Sequence, residues 1–229
     1  MSLEKNQEFE ITIEDMGNEG EGIGHLDGMA VFVKDTVPGD VARIKIIKVK
    51  KNYAYGRLIQ VICPSDYRVE PICPHARRCG GCTIMHVSYE KQLAWKQDKV
   101  KNCLQRIGGI ADIEEKMEPI IGMEYGGSAM EPDVGMECGE SAGADISKEN
   151  KDVKDFPAIR YRNKAQFPVR RDKAGRLAIG FYAGRTHSVI DTDICYLQDE
   201  VNDEIIRRLR CFMEKYQVEA YDVSLVHIS

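Results

Sequence analysis

The stretch VARIKIIKVKKNYAYGRLIQVI, residues 41–62, decides the fold of the first part of this chain. It predicts two long strands, Val41 to Val49 and Tyr53 to Ile62, on either side of Lys50-Lys51-Asn52. β-branched and aromatic residues dominate both runs, and the polar triplet between them is typical of a turn. The stretch therefore indicates a β-rich domain rather than a helical one.

Shorter strand signals precede this pair. Phe9 to Ile13 alternates apolar and polar residues, and Asp27-Gly28 is a two-residue hairpin signal between Ile23–Leu26 and Met29–Val33. Five short strands in under sixty residues predict an OB-like β-barrel over residues 1–63. That fold is repeatedly used on oligonucleotides, although a fold alone does not establish a function.

The charge of the two long strands points to the same class of ligand. Between Val41 and Arg57 the chain carries no acidic residue. Its basic residues there are Arg43, Lys45, Lys48, Lys50, Lys51 and Arg57. Such side chains neutralise phosphates, and Tyr53 and Tyr55 among them can stack on bases. We therefore predict RNA contact; the alternative is a solvated strand face whose lysines prevent edge pairing.

A cysteine cluster, CPHARRCGGC at residues 73–82, follows the predicted barrel. Soft thiolates select zinc, copper(I) or iron–sulfur clusters. The two-residue gap between Cys79 and Cys82 suits zinc and iron–sulfur sites alike, but the gap from Cys73 to Cys79 is longer than in most zinc knuckles. Iron–sulfur is favoured, with a zinc ribbon as an alternative. Residues 1–10 do not resemble a secretory signal, so disulfides are disfavoured and we expect a cytoplasmic protein.

A fourth thiolate must come from elsewhere in the chain. The candidates are Cys63, Cys103, Cys138, Cys195 and Cys211. The segment 64–110 is predicted to hold the cysteine loop and a helix from Ser88 to Ile107, with Cys103 on its buried stripe. The stripe consists of Tyr89, Leu93, Val100, Leu104 and Ile107. We therefore expect Cys103 to pack in a core rather than bind metal.

Residues 111–156 form an acidic, glycine-rich insertion. Asp112 to Asp155 carries 13 acidic and 4 basic residues, which leaves the rest of a chain of net charge -5 positive. Gly122–Ala129 recurs as Gly135–Ala142, with Cys138 in place of Tyr125. With few large apolar residues, this segment predicts a disordered insertion or long surface loop without a metal ligand.

Residues 157–229 predict a small central domain with a mixed sheet. A basic strand from Arg160 to Arg171 offers Arg160, Arg162 and Lys164 as RNA contacts, and the strands Leu177–Tyr182 and Ser188–Asp191 follow it. The last strand delivers Cys195 toward the other thiolates. A helix from Glu200 to Tyr216 is expected to bury one apolar stripe. That stripe consists of Val201, Ile205, Leu209, Phe212 and Tyr216.

Several of these motifs together resemble one family. Besides a barrel of TRAM type and the run at 73–82, the chain has YRNKAQFPV at 161–169, GFY at 180–182 and SVIDTDIC at 188–195. It resembles the bacterial 23S rRNA uracil-5-methyltransferases and their paralogues over nearly its whole length, apart from the insertion. The resemblance implies RNA binding by the barrel and the central domain. It also implies a [4Fe-4S] cluster held by the cysteines Cys73, Cys79, Cys82 and Cys195.

The family also implies a catalytic domain. Its members continue into a Rossmann-like domain that binds S-adenosylmethionine (SAM), where a cysteine attacks uracil C6 and the methyl group goes to C5. None of the eight cysteines here stands in a matching context, and no SAM loop is visible. We therefore expect an α+β chain that lacks the methyltransferase domain, ends inside a strand near Ser229 and is inactive by itself.

The function expected from these residues is the RNA-binding, cluster-bearing portion of a SAM-dependent RNA uracil-5-methyltransferase. Methyl transfer from SAM needs no electron, so a structural cluster is expected. The alternative is a stand-alone RNA-binding or redox-sensing iron–sulfur protein without catalysis. The expected partner is RNA, with 23S rRNA favoured over tRNA, and the chain is expected to be a monomer that does not contact membranes.

Overall fold

The first sixty residues form β-strands because their apolar side chains alternate with polar ones. The computed structural model describes residues 3–123, 158–172, 174–184 and 186–220. The elements of the first part are β1 (Glu8–Thr12), β2 (Asp15–Met16), β3 (Gly22–Leu26), β4 (Met29–Val33), β5 (Val41–Val49), β6 (Tyr53–Cys63), α1 (Tyr89–Arg106) and α2 (Ile113–Lys116). Those of the second part are β7 (Val169–Arg171), β8 (Leu177–Tyr182), β9 (Val189–Asp191) and α3 (Glu200–Lys215).

The chain divides into two compact units, each discontinuous in sequence. Unit 1 comprises Met1–Pro71 and Cys82–Gly122, and unit 2 comprises Ile72–Gly81 and Met123–Ser229. The segment 64–110, which the sequence predicts as one domain, is therefore shared: the cysteine loop up to Gly81 belongs to unit 2, and α1 belongs to unit 1.

The sheet of unit 1 closes on itself through one bent strand. Its order is β1-β5-β6-β4-β3-β2, and β4 and β6 are its parallel pair. The chain runs from β1 almost directly into β2, and on the way the Glu14 N–H donates to the Ile23 carbonyl on β3 at 2.8 Å. At Gly24 a Cβ would collide with the Thr12 carbonyl oxygen, so a glycine is needed where the two edges meet. The predicted β-rich barrel is confirmed.

The interior of the barrel is aliphatic. Its buried cluster consists of Ile11, Ile13, Val31, Val33, Ala42, Ile44, Ile46 and Ala54. These residues occupy alternate positions along their strands, which is the period of side chains that face one side of a sheet. The residues between them, including Tyr53, Tyr55 and Arg57, therefore lie on the outer face.

A buried ion pair fastens the chain after the barrel to a barrel turn. Asp40 is fully buried and accepts two hydrogen bonds from Arg68, at 3.0 Å from Nε and 2.5 Å from Nη2. The backbone N–H groups of Val37 and Ser65 also donate to it. Burial by itself raises the pKa of Asp40, but these hydrogen bonds more than offset that effect and hold the pKa below its usual value.

Helix α1 does not bury the predicted stripe. It contains no fully buried residue, Cys103 is exposed, and Ile107, just beyond the helix, is 85% exposed. Of that stripe, Tyr89 and Leu93 are half-buried beside Gly122. The helix also packs through neighbouring positions: Gln92 donates to the carbonyls of Ile84 and Val87, and Trp95 packs against a small cluster around Val87. These contacts to neighbouring loops set the helix rotation, so the prediction that Cys103 is a core residue was wrong.

The sheet of unit 2 has three described strands in the order β7-β8-β9, and both pairings are antiparallel. The mixed sheet predicted from the sequence is therefore absent from the described part of this unit. At Gly180 an added Cβ would clash with the Ile190 carbonyl oxygen, so only a glycine allows β9 to lie so close to β8.

Helix α3 packs on β8 through a face that the sequence did not indicate. Ile206 and Met213 are buried with Ile179, whereas the predicted stripe is exposed, from 38% at Leu209 to 60% at Tyr216. The sequence did not indicate this face because it carries charged residues that are typical of a surface. Arg210, one turn after Ile206, donates to the Leu177 carbonyl and to Asp191.

Two expectations fall wholly or mainly outside the described residues. They are the acidic repeat beyond Met123, with Cys138, and the strand expected near Ser229. Among the described helices, none has the length and apolar character needed to cross a membrane.

Candidate nucleic-acid interface and cysteine centre

The register of β5 and β6 arranges the outer face of the barrel in rows. Lys48 lies opposite Tyr55, and Lys45 lies opposite Arg57. On the other side of β6, Tyr55 lies opposite Phe32 of β4. One row across this face therefore consists of Phe32 on β4, Tyr55 on β6 and Lys48 on β5.

The predicted basic stripe is divided by ion pairing. Arg43 donates to Glu10 at 2.9 Å and Lys45 to Glu8 at 3.5 Å, and both pairs are solvent-exposed. Among the described residues, the other four basic side chains make no ion pair. They are Lys48, Lys50, Lys51 and Arg57. The positive charge available to an anion is therefore concentrated around the turn that joins β5 to β6.

Three aromatic rings form one cluster beside this turn. The ring centroids of Phe32 and Tyr53 are 5.6 Å apart, those of Tyr53 and Tyr55 5.5 Å, and those of Phe32 and Tyr55 5.9 Å. A hydrogen bond with Tyr53 raises the pKa of Tyr55. Phe32 was missed by the sequence argument, because nothing local predicts the parallel pairing of β4 with β6.

In unit 2 the structure brings Cys73, Cys79 and Cys195 together. Burial raises the pKa of the Cys73 thiol, and Cys195 and Cys79 lie close enough to raise it further. Burial likewise raises the pKa of Cys195, with smaller contributions from Asp203 and Cys79. Cys82, three positions after Cys79, is half-buried. It is the first residue of the second segment of unit 1.

Backbone N–H groups lie near each of these three cysteines. Gly81 donates to Cys79 Sγ at 3.3 Å, and the backbone N–H groups after Cys73 and Cys195 partly offset the effect of burial on the pKa of these two thiols. The N–H groups of Ala76 and Gln198 also donate to the carbonyls of Cys73 and Cys195, at 3.1 Å each. Such donors stabilise negative charge on sulfur, and hydrogen bonds to sulfur are a feature of iron–sulfur sites. The donor set thus fits a thiolate-bound cluster. Within the described residues, however, no three His, Cys, Asp or Glu side chains are grouped closely enough to hold a metal ion.

The end of β8 positions Cys79. Cys79 forms an isolated antiparallel bridge with Ala183, directly after the strand. The Gly80 N–H donates to the Tyr182 carbonyl at 2.9 Å, and the Gly184 N–H donates to the Arg78 carbonyl at 3.1 Å. The cysteine loop is therefore an extension of the sheet of unit 2.

Arg160 holds the backbone around Cys195. Its Nη1 lies 2.9 Å from the Cys195 carbonyl, 2.9 Å from the Gln198 carbonyl and 2.8 Å from Asp203 Oδ2. The other oxygen of Asp203 accepts the Cys195 N–H at 3.0 Å. The side chain of Arg160 is only 19% exposed, so its guanidinium is committed to internal acceptors.

The strand predicted from Arg160 to Arg171 is limited to β7 (Val169–Arg171). Arg162 and Lys164, the other RNA contacts predicted in it, lie before β7 and are exposed. Arg162 Nη2 donates to the Gly81 carbonyl at 3.1 Å, and its backbone N–H donates to the Leu197 carbonyl at 2.8 Å. Arg160 and Arg162 thus contact both cysteine-bearing segments of unit 2, and Lys164 makes no ion pair with another described residue.

Comparison with known proteins connects these features. Residues 3–59 match the TRAM domain. The chain is 39% identical to an uncharacterized RNA methyltransferase of Clostridium tetani and 38% identical to one of Clostridium acetobutylicum, each over 96% of the chain. A Bacillus cereus relative of the same description is 36% identical. These alignments cover 40%, 41% and 40% of the relatives, so the chain spans about two fifths of their length.

A solved structure shares the fold. The Pyrococcus abyssi tRNA (uracil-54, C5)-methyltransferase, in complex with S-adenosyl-L-homocysteine, superposes with a TM-score of 0.53 at 22% identity. The match covers 94% of this chain and 39% of that one. The chain is thus similar to part of these RNA methyltransferases, contains a TRAM domain and shares the fold of the matching part of a tRNA (uracil-54, C5)-methyltransferase, similarities that fit the RNA m5U methyltransferase family.

Proposed function

We propose that this chain is the RNA-binding, cluster-bearing portion of a SAM-dependent RNA uracil-5-methyltransferase that acts on 23S rRNA. The observation that carries the proposal is the group of lysines around the β5–β6 turn of the TRAM barrel, Lys48, Lys50 and Lys51, which have no carboxylate partner among the described residues. Lysines that are already paired contribute less to binding, because an incoming phosphate must displace their carboxylates.

The test is RNA binding measured by fluorescence anisotropy over a series of salt concentrations. The variant K48Q/K50Q/K51Q removes the unpaired lysines, and K96Q/K116Q/K215Q removes the same charge from exposed helical positions. We expect the first variant to lose about tenfold or more in affinity and to show a shallower salt dependence, since each phosphate contact contributes about one unit of slope. Equal affinities for the two variants would contradict the proposal.

The choice of 23S rRNA needs its own comparison. The relatives are described as RNA methyltransferases without a particular RNA, and the solved structure is a tRNA methyltransferase. Transcripts of 23S rRNA segments and of tRNA should therefore compete for the same labelled complex. The proposal predicts that an rRNA segment displaces the probe at lower concentration than any tRNA does, and the reverse order would assign the chain to tRNA.

We further propose that Cys73, Cys79, Cys82 and Cys195 hold a [4Fe-4S] cluster with a structural role. Its support is that Cys73 and Cys195 each lie near Cys79, that the Gly81 N–H donates to the Cys79 sulfur, and that Cys82 follows Cys79 with a two-residue gap. When bound, the cluster would supply iron–sulfur bonds between these cysteine-bearing segments. The residues themselves orient the sulfurs: Arg160 and Asp203 fix the backbone at Cys195, and the Ala183 bridge fixes Cys79.

We assign SAM binding and methyl transfer to the part of the relatives that this chain does not match. Residues 1–229 then bind RNA without modifying it. Incubation with a uridine-containing rRNA transcript and SAM labelled in its methyl group tests this division. No label should enter the RNA with this chain alone, and incorporation of label would place the catalytic residues within these 229 positions.

A further inference from the structure

The aromatic cluster on the barrel lies on its outer face. Its members, Phe32, Tyr53 and Tyr55, alternate with residues that fill the interior: Val31 and Val33 flank Phe32, and Ala54 lies between the two tyrosines. Side chains alternate between the two faces of a strand. The three rings therefore contribute little to the packing of the interior. They come from β4 and β6, which are distant in sequence.

The rings are held in a fixed arrangement. Tyr53 is edge-on to both Phe32 and Tyr55, with interplanar angles of 88°. Phe32 and Tyr55 are also in contact, with centroids 5.9 Å apart, so each ring packs against the other two. Aromatic side chains that are ordered before binding lose little conformational entropy when a planar ligand stacks on them.

Charges on the two sides of the cluster have opposite sign. Lys48 lies directly opposite Tyr55 in the register of β5 and β6. Glu19 and Glu21 lie close enough to Tyr55 to contribute to its raised pKa, after the larger effects of Tyr53 and of burial. An anionic backbone is attracted to the lysine side and repelled from the glutamate side. A nucleic-acid strand would therefore run along β5, with its bases directed across the rings.

We propose that Phe32, Tyr53 and Tyr55 form a nucleobase-stacking site for unpaired RNA, with Lys48 binding the adjoining phosphate. The proposal rests on the RNA-binding function proposed above and adds to it a selectivity for single strands. In an RNA duplex each base is covered by its neighbours, so its face is not available to a protein ring. The site consequently selects loops, bulges and ends.

The experiment compares a single-stranded RNA oligonucleotide containing 2-aminopurine with the same oligonucleotide in a duplex. Wild type should bind the single strand more tightly and quench 2-aminopurine through stacking. The variant Y53L/Y55L removes two rings, and Y53F/Y55F keeps the rings without their hydroxyl groups. We expect the leucine variant to lose about tenfold or more in single-strand affinity, since stacking contributes roughly 1–3 kcal/mol per base. The phenylalanine variant should keep most of it.

The outcomes separate the two proposals. If wild type binds neither RNA, the RNA-binding function itself fails. If wild type binds RNA but prefers the duplex, leaves 2-aminopurine unquenched or is unaffected by the loss of both rings, the stacking site fails while RNA binding stands. The quenching measurement uses wild type alone, so it tests the stacking site even if the leucine variant does not fold.

Discussion

The guanidinium of Arg160 lies 2.8 Å from the carboxylate of Asp203, and both groups hold the backbone at Cys195. The sequence suggested a different use for Arg160, as an RNA contact within a basic strand. Its three internal acceptors and its left-handed backbone, with φ of 54°, make it a structural residue of unit 2. Arg160 thus organises a cysteine-bearing segment of unit 2 through internal acceptors.

Replacement of Arg160 by alanine should destabilise unit 2 by about 3 kcal/mol, because it leaves the largely buried Asp203 and two carbonyls without their donor. Arg160→Lys should recover only part of this loss, since lysine keeps the charge but not the planar fork. Hydrogen exchange of the β8–β9 region measures the effect. The control Arg176→Ala removes an exposed arginine that pairs with Asp172, so it should change hydrogen exchange little. Equal effects of the two alanine variants would contradict the structural role of Arg160.

Replacement of Cys79 by serine should abolish the proposed cluster, since it removes one of the four soft thiolate ligands and leaves a hydroxyl group that binds iron more weakly. Iron and acid-labile sulfide measured on anaerobically purified protein check this. The controls are Cys63→Ser and Cys103→Ser, which change exposed cysteines outside the proposed set. Full iron content in Cys79→Ser, or a colourless wild type carrying zinc, would rule out the assignment.

The Asp40–Arg68 pair predicts a pH dependence for unit 1. Because the pKa of Asp40 is lowered in the folded chain, its contribution to stability is complete above the pKa of the unfolded chain, about 4. That contribution disappears as the pH falls through the lower folded value. Fluorescence of Trp95, the single tryptophan, reports urea unfolding of this unit.

The variant Asp40→Asn should lower the stability at pH 7 by about 3 kcal/mol, because it leaves Arg68 largely buried without a counterion. Below about pH 4, the free energy of unfolding of this variant should also fall less steeply with pH than that of wild type. Asp66→Asn, at an exposed position nearby, should leave both quantities unchanged. An acid transition identical in wild type and Asp40→Asn would show that the pair does not control it.

The rotation of α3 can be checked by adjacent substitutions. Met213 is 8% exposed and Phe212 is 53% exposed. We expect Met213→Ala to cost about 2–4 kcal/mol and Phe212→Ala well under 1 kcal/mol, the reverse of the order that the apolar stripe predicts. Hydrogen exchange of α3 provides the readout, and a larger loss of protection in Phe212→Ala would restore the stripe predicted from the sequence.

Local sequence patterns suffice to predict the barrel strands but not the packing of the helices. The barrel strands were predictable because their alternation and their hairpin signal are local properties of the chain, and β4 begins and ends where the pattern indicates. The packed face of α3 was not predictable, because Asp203 and Arg210 on it look like surface residues until Arg160 and Asp191 supply their partners.

The same distinction applies to the candidate sites. The lysines and tyrosines near residue 50 are visible in the sequence because they are contiguous. Phe32 joins them only through the pairing of β4 with β6, and Glu8 and Glu10 neutralise part of the stripe only through the pairing of β1 with β5. Sequence patterns thus located the surface, while long-range pairing determined which of its residues are available to a ligand.

The most direct test of the account is ultraviolet crosslinking of this chain to a single-stranded RNA, with the crosslinked peptides identified by mass spectrometry. We predict crosslinks at Tyr53 or Tyr55 and at neighbouring residues of the β5–β6 turn, which are lost in K48Q/K50Q/K51Q. Crosslinks confined to unit 2, with none on the barrel, would contradict the assignment of the barrel as the RNA-binding surface.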